Sequence, residues 1–198
     1  GHEPLRHGTR RAHARLRLAY LSADVHEHAT AYLAARLFEL HDRSRFEVVG
    51  ISYGPDDRSA MRERLTRAFD RFVDVRGLSD AQAARALRDM QIDIAIDLKG
   101  HTGESRLGIL AHRPAPLQVT YLGYPGTVGA AFIDYVLADR VVIPPADEPC
   151  YTERVVHLPD SYQVTDAATV AGPTPSRCTL GNASARSAAR LSQSMSGE

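Results

Sequence analysis

Apolar positions recur along this chain with two periods, one suited to strands and one to helices. Leu16, Leu18 and Tyr20 alternate and Leu21 continues the run, the pattern of a strand buried on both faces. Leu33, Leu37 and Leu40 then fall at i, i+4 and i+7, which predicts a helix packing that stripe against the sheet and ending over residues 42–45. Phe46–Ser52 reads as a second strand, Gly54-Pro55-Asp56-Asp57 as a turn, and Met61, Leu65, Ala68 and Phe69 as the next helical stripe. Residues 71–75 read as a short third strand. Ser79 with Gln82 three positions on matches a capping box, and Ala83, Leu87 and Met90 share one face of the helix it begins.

The second half continues the alternation. Ile92, Ile94, Ile96 and Leu98 alternate with Asp93, Ala95 and Asp97, so a fourth strand is expected to bury one face and carry carboxylates on the other. A short helix over 104–111 leads to Arg113-Pro114-Ala115-Pro116, whose prolines enforce an extended approach to a fifth strand over 117–122. Residues 132–137 and 154–158 read as the remaining strands. The pattern predicts an α/β fold class, a Rossmann-like, doubly wound and mostly parallel sheet. Ligands of such sheets sit beyond the carboxyl ends of the strands. The loops carrying Asp24, His26 and His28, then Gly100-His101-Thr102-Gly103, then Gly123-Tyr124-Pro125-Gly126-Thr127 would share that rim.

Composition narrows the setting. With 198 residues, 43% hydrophobic and 24% charged, the chain can bury one core. Residues 1–15 read as a basic linker, 16–165 as the folded lobe, and 166–198 as a disordered, atypical tail with almost no large apolar residue. Lys and Arg total 24 and Asp and Glu 24, so no global field draws the chain to nucleic acid or to an anionic membrane. Without a long apolar run or a signal-peptide pattern, it reads as cytoplasmic. Cys150 and Cys178 have no metal-binding spacing and read as free thiols.

Among the rim residues, His28 is apt as a general base, because an imidazole titrates near neutrality and a positioned base contributes roughly 10² to 10⁴ in rate. His26-Glu27-His28 is not HExxH and lacks further ligands, so no metal is expected. The glycine-rich loop after the fifth strand offers backbone N–H groups to an anion, but it is not GxGxxG, which disfavours a nicotinamide cofactor. There is no GxSxG elbow and no P-loop.

Taken together, Ser22-Ala23-Asp24, His28-Ala29-Thr30, Pro55-Asp56-Asp57, Asp97-Leu98-Lys99-Gly100-His101-Thr102, and the run RPAPLQVTYLGYPGT followed by Asp134-Tyr135 resemble the O-linked N-acetylglucosamine transferase family, most of all its bacterial members. The resemblance spans residues 16–165. It implies a GT-B fold of two Rossmann-like lobes and a metal-independent, inverting transfer of GlcNAc from UDP-GlcNAc to a Ser or Thr hydroxyl of a protein acceptor. It casts this chain as the amino-terminal lobe, inactive alone, with TPR repeats upstream and a carboxyl-terminal lobe holding most of the donor. Within the lobe it implies His28 as the catalytic base and Asp97 as an anchor or proton relay. His101 and Thr102 would line the sugar and acceptor side, and Tyr124, Pro125, Gly126 and Thr127 would border the cleft. Ala29 and Tyr32 depart from the proline and second histidine of animal members. The rival readings are a non-catalytic interaction lobe and another GT-B sugar-nucleotide enzyme.

Overall fold

The structure, a computed structural model, describes residues 13–167; most of the linker, nearly all of the tail and Cys178 lie outside the described residues. Seven strands form one sheet: β1 (Leu16–Ser22), β2 (Phe46–Ser52), β3 (Arg71–Asp74), β4 (Ile94–Asp97), β5 (Leu117–Thr120), β6 (Tyr135–Ala138) and β7 (Arg154–His157). Their order is β3-β2-β1-β4-β5-β6-β7, and every neighbouring pair is parallel. The chain therefore starts at the centre, winds outward through β2 and β3, then crosses back to β4. β1 and β4 are the neighbours at which the direction of winding reverses.

The helices α1 (Ala29–Leu40) and α2 (Ala60–Ala68) pack on one face, and α3 (Asp80–Asp89) and α4 (Leu107–Ala111) on the other. The capping box at Ser79 and Gln82 starts α3 as the sequence predicts. The buried face of α1 is not the Leu33-Leu37-Leu40 stripe. Ala31, Ala34, Ala35 and Phe38 are buried instead, and Leu40 is 64% exposed. Small side chains let the helix approach the sheet closely, and Phe38 fills the remaining gap against Tyr20 and Phe69, at ring-centroid distances of 4.9 and 4.8 Å.

A second correction concerns β4, whose carboxylates do not face solvent. Asp93 is 8% and Asp97 2% exposed, because α3 and α4 cover that side of the sheet. Both are satisfied by main-chain donors: Arg17 N–H reaches Asp93 at 2.9 Å and Gly100 N–H reaches Asp97 at 2.6 Å. The helix expected from residue 104 starts at Leu107, because Glu104 adopts a φ of 60° and Arg106, at φ −126° and ψ 50°, is not helical.

The α1 and α2 side leaves part of β4 to β7 uncovered, where Leu18, Ile94, Leu117, Tyr135 and Val156 line an apolar groove of about 360 Å³. Leu158, Tyr162 and Val164 return across this side, and Asp166 pairs with Arg64 of α2 at 2.7 Å. Among the described residues, no helix is long and apolar enough to cross a membrane.

Candidate active site

The winding reversal between β1 and β4 opens a cavity of about 360 Å³ at the carboxyl edge of the sheet. Asp24, His28 and Thr30 line it from the β1 side, Lys99, Thr102, Gly103 and Glu104 from the β4 side, and Gly123 from the β5 side. The three loops expected to share a rim therefore do share it.

His28 is the N-cap of α1, in an extended conformation, and its Nδ1 accepts the Thr30 N–H at 3.2 Å. Its side chain remains 41% exposed, so the imidazole stands at the mouth of the cavity. The loop beneath it is held from the β2–α2 connection. Asp57 accepts the Glu27 N–H at 2.8 Å, and the Glu27 and Ser59 amides that it accepts lower its carboxyl to about 2. Arg62, buried in α2, donates to Val25 O at 2.8 Å and pairs with Asp56 at 3.1 Å. The Pro55-Asp56-Asp57 motif thus braces the histidine loop rather than lining the cavity.

The cavity floor is an ion pair that residue-by-residue reading missed. Lys99 Nζ lies 2.8 and 3.0 Å from the two carboxylate oxygens of Asp24, with Lys99 6% and Asp24 5% exposed. Their pairing follows from β1 and β4 being neighbours, a fact of topology that neither motif carries alone.

Asp97 does not line the cavity. It lies beneath the β4 loop, where burial pushes its carboxyl up to about 6 against the lowering effect of the Gly100 and Lys99 amides. Its bond to Gly100 fixes the turn whose other bonds are Thr102 N–H and Oγ1 to Lys99 O, at 3.1 and 2.8 Å. Gly100 itself has a φ of +54°, and a Cβ there would meet Tyr124 at 2.5 Å.

His101 and the β5 loop form a ledge beside the cavity. His101 Nε2 meets Val128 O at 2.8 Å and its ring stands edge-on to Tyr124 at 5.6 Å. Gly123 packs on Leu98, whose carbonyl oxygen would lie 2.1 Å from an added Cβ. Thr127 is turned into the structure, donating to Glu153 at 2.6 Å, and Pro125 O accepts from Tyr151 at 2.9 Å. Glu153, 4% exposed and unsuspected from sequence, also accepts the Val128 N–H at 2.7 Å. The RPAP segment is architectural: Arg113 pairs with Asp134 at 2.9 Å and reaches Phe132 O at 3.1 Å, tying α4 and β5 to β6.

Among the described residues, no cluster of three or more His, Cys, Asp or Glu side chains could hold a metal. Cys150 is exposed and free.

Comparison with known proteins agrees with this geometry. A sequence model of glycosyl transferase family 41 matches residues 1–193, further in both directions than the motif-bearing span. A probable UDP-N-acetylglucosamine–peptide N-acetylglucosaminyltransferase, SEC, of Arabidopsis thaliana is 38% identical over 152 residues, 77% of this chain and 16% of that protein. The Caenorhabditis elegans UDP-N-acetylglucosamine–peptide N-acetylglucosaminyltransferase is 36% identical over 155 residues, 78% of this chain and 14% of that protein. This chain thus spans only a small part of the length of these relatives. A solved mutant of the Thermobaculum terrenum O-GlcNAc transferase superposes with a TM-score of 0.73 at 39% identity, covering 76% of this chain and 29% of that one. With the family match, these similarities and the shared rim, the chain belongs to glycosyltransferase family 41, the O-GlcNAc transferases.

Proposed function

We propose that this lobe forms the acceptor-side wall of a protein O-GlcNAc transferase and that it turns over only when joined to a second, donor-binding lobe. The observation that carries the reading is His28, half-exposed over a buried Asp24–Lys99 floor at the winding reversal.

In the proposed reaction a Ser or Thr hydroxyl oxygen bonds to the anomeric carbon of UDP-GlcNAc. The bond from that carbon to the diphosphate oxygen breaks, and the hydroxyl proton must leave. Nδ1 of His28 is occupied by Thr30, so Nε2 is the ring nitrogen left to meet the substrates. Thr102 and the His101–Tyr124 ledge would shape the sugar and acceptor side, and Pro125, Gly126 and Thr127 would complete its border. Asp97 serves as the anchor that holds the Lys99–Gly100 turn in place. The charge developing on the leaving diphosphate needs preorganised donors, which a second lobe would supply.

Transfer of radiolabelled GlcNAc from UDP-GlcNAc to a mixed protein acceptor pool tests the proposal, with this chain alone and with a separately prepared carboxyl-terminal lobe of a family member. Transfer in the mixture and none with the chain alone is expected, unchanged by a chelator. Transfer by the chain alone would contradict the division of labour, and no transfer in the mixture would favour the interaction-lobe reading.

A further inference from the structure

His28 Nδ1 faces two groups with opposite demands. The Thr30 backbone N–H donates to it at 3.2 Å, and Asp24 Oδ2 stands 3.5 Å away. A neutral imidazole holds one proton on one nitrogen, so Nδ1 can accept from Thr30 only while bare and donate to Asp24 only while protonated.

The surroundings decide between these states. Lys99 Nζ already engages both oxygens of Asp24, at 2.8 and 3.0 Å, where water barely reaches either residue. A carboxylate so neutralised gains little from a second donor, and 3.5 Å is long for a hydrogen bond. The Thr30 N–H, by contrast, belongs to the first turn of α1, where amides have no partner within the helix. Protonating Nδ1 would leave it without its cap.

We infer that Lys99, acting through Asp24, holds neutral His28 in the tautomer with its proton on Nε2, so that the ring presents a donor rather than a lone pair to the cavity. Lys99 is then a positioning residue. What this means for transfer rests on the reading proposed above: the resting imidazole donates to an oxygen of the substrates. It can take up the hydroxyl proton at Nε2 only once its own proton sits on Nδ1, which costs the Thr30 cap and draws Asp24 away from Lys99. The tautomer itself does not depend on that reading.

Two-bond proton–nitrogen correlation spectra of the full chain labelled with [15N]histidine test the inference without any turnover, so its failure is distinguishable from failure of the transferase reading. The spectra are recorded well above the imidazole titration range, with His28 assigned by the signal lost in His28→Gln. In the unsubstituted chain the pattern of a protonated Nε2 and a bare Nδ1 is expected. Lys99→Met frees the Asp24 carboxylate to take the Nδ1 proton, and the pattern reverses. Adding Asp24→Leu to Lys99→Met removes the competing acceptor and restores the original pattern. Should Lys99→Met not fold, Lys99→Gln, which keeps a neutral donor against Asp24, carries the same expectation of reversal. A protonated Nδ1 in the unsubstituted chain, or a pattern indifferent to loss of the Lys99 charge, would overturn the inference.

Discussion

Asp97 Oδ2 accepts the Gly100 N–H at 2.6 Å from a position only 2% exposed, so the turn that shapes the cavity floor hangs on a buried carboxyl. Burial raises this group from 3.8 to about 6, which means the folded chain holds the proton more tightly than the unfolded one. Between those two values the native state binds more protons, so the Asp97 contribution to stability is present at low pH and is lost as pH rises toward about 6. The loss is at most ~3 kcal/mol. Urea unfolding across that interval should show a downward slope that Asp97→Asn removes; parallel pH profiles for the two proteins would contradict this assignment.

The Asp24–Lys99 pair makes a separate stability prediction. Lys99→Met leaves a carboxylate in a nearly dry site and is expected to cost ~3–5 kcal/mol. Asp24→Leu combined with Lys99→Met removes both charges and should recover most of that loss, because the desolvation of each ion is then no longer incurred. Denaturant midpoints of the single and double variants measure the coupling; additive effects would mean the pair does not act as a unit.

Glu153 clamps the β5 loop through Thr127 Oγ1 and Val128 N–H, at 2.6 and 2.7 Å. Glu153→Ala strands both donors and should cost ~2–3 kcal/mol, whereas Glu153→Gln keeps one acceptor and should cost about half as much. Amide exchange at Val128 is the local readout, and it should accelerate in Glu153→Ala ahead of amides in the β1 to β4 core.

Gly123 and Gly77 offer a matched pair. A Cβ on Gly123 would lie 2.1 Å from Leu98 O, a backbone atom, while nothing lies within 4 Å of one on Gly77. Gly123→Ala is expected to destabilise by ~1–3 kcal/mol as the two loops are forced apart. Gly77→Ala should stay within ~0.5 kcal/mol. Thermal midpoints decide the comparison.

Much of this architecture is legible in the sequence because local signals mark it. The capping box at Ser79, the prolines at 114 and 116 and the alternation of Ile94 and Ile96 each fix an element within one or two turns of chain. The α1 face misled because leucines dominate a hydrophobic stripe by size, while the tight approach of helix to sheet selected Ala31, Ala34 and Ala35. The Asp97 side of β4 misled for a related reason. Alternation says which residues share a face, but only α3 and α4 arriving from elsewhere make the polar face buried as well.

The site divides in the same way. His28 and Thr102 were legible as rim residues because they follow strand ends, and both line the cavity. Asp97 stands beneath it, and Thr127 is spent on Glu153. Lys99 and Glu153 carry no local signal, since their partners lie 75 and 26 residues away in sequence. Strand order alone brings Lys99 to Asp24.

The central claim, that the cavity at the β1–β4 reversal is the acceptor side of a transferase, is tested most directly by a single substitution in the reconstituted reaction. In a mixture of this chain with a family carboxyl-terminal lobe, His28→Ala should lower the rate of GlcNAc transfer by at least ~10²-fold. The variant should stay folded, since the side chain is 41% exposed and loss of its cap bond to Thr30 costs only ~0.5–2 kcal/mol. An undiminished rate in His28→Ala would contradict the account.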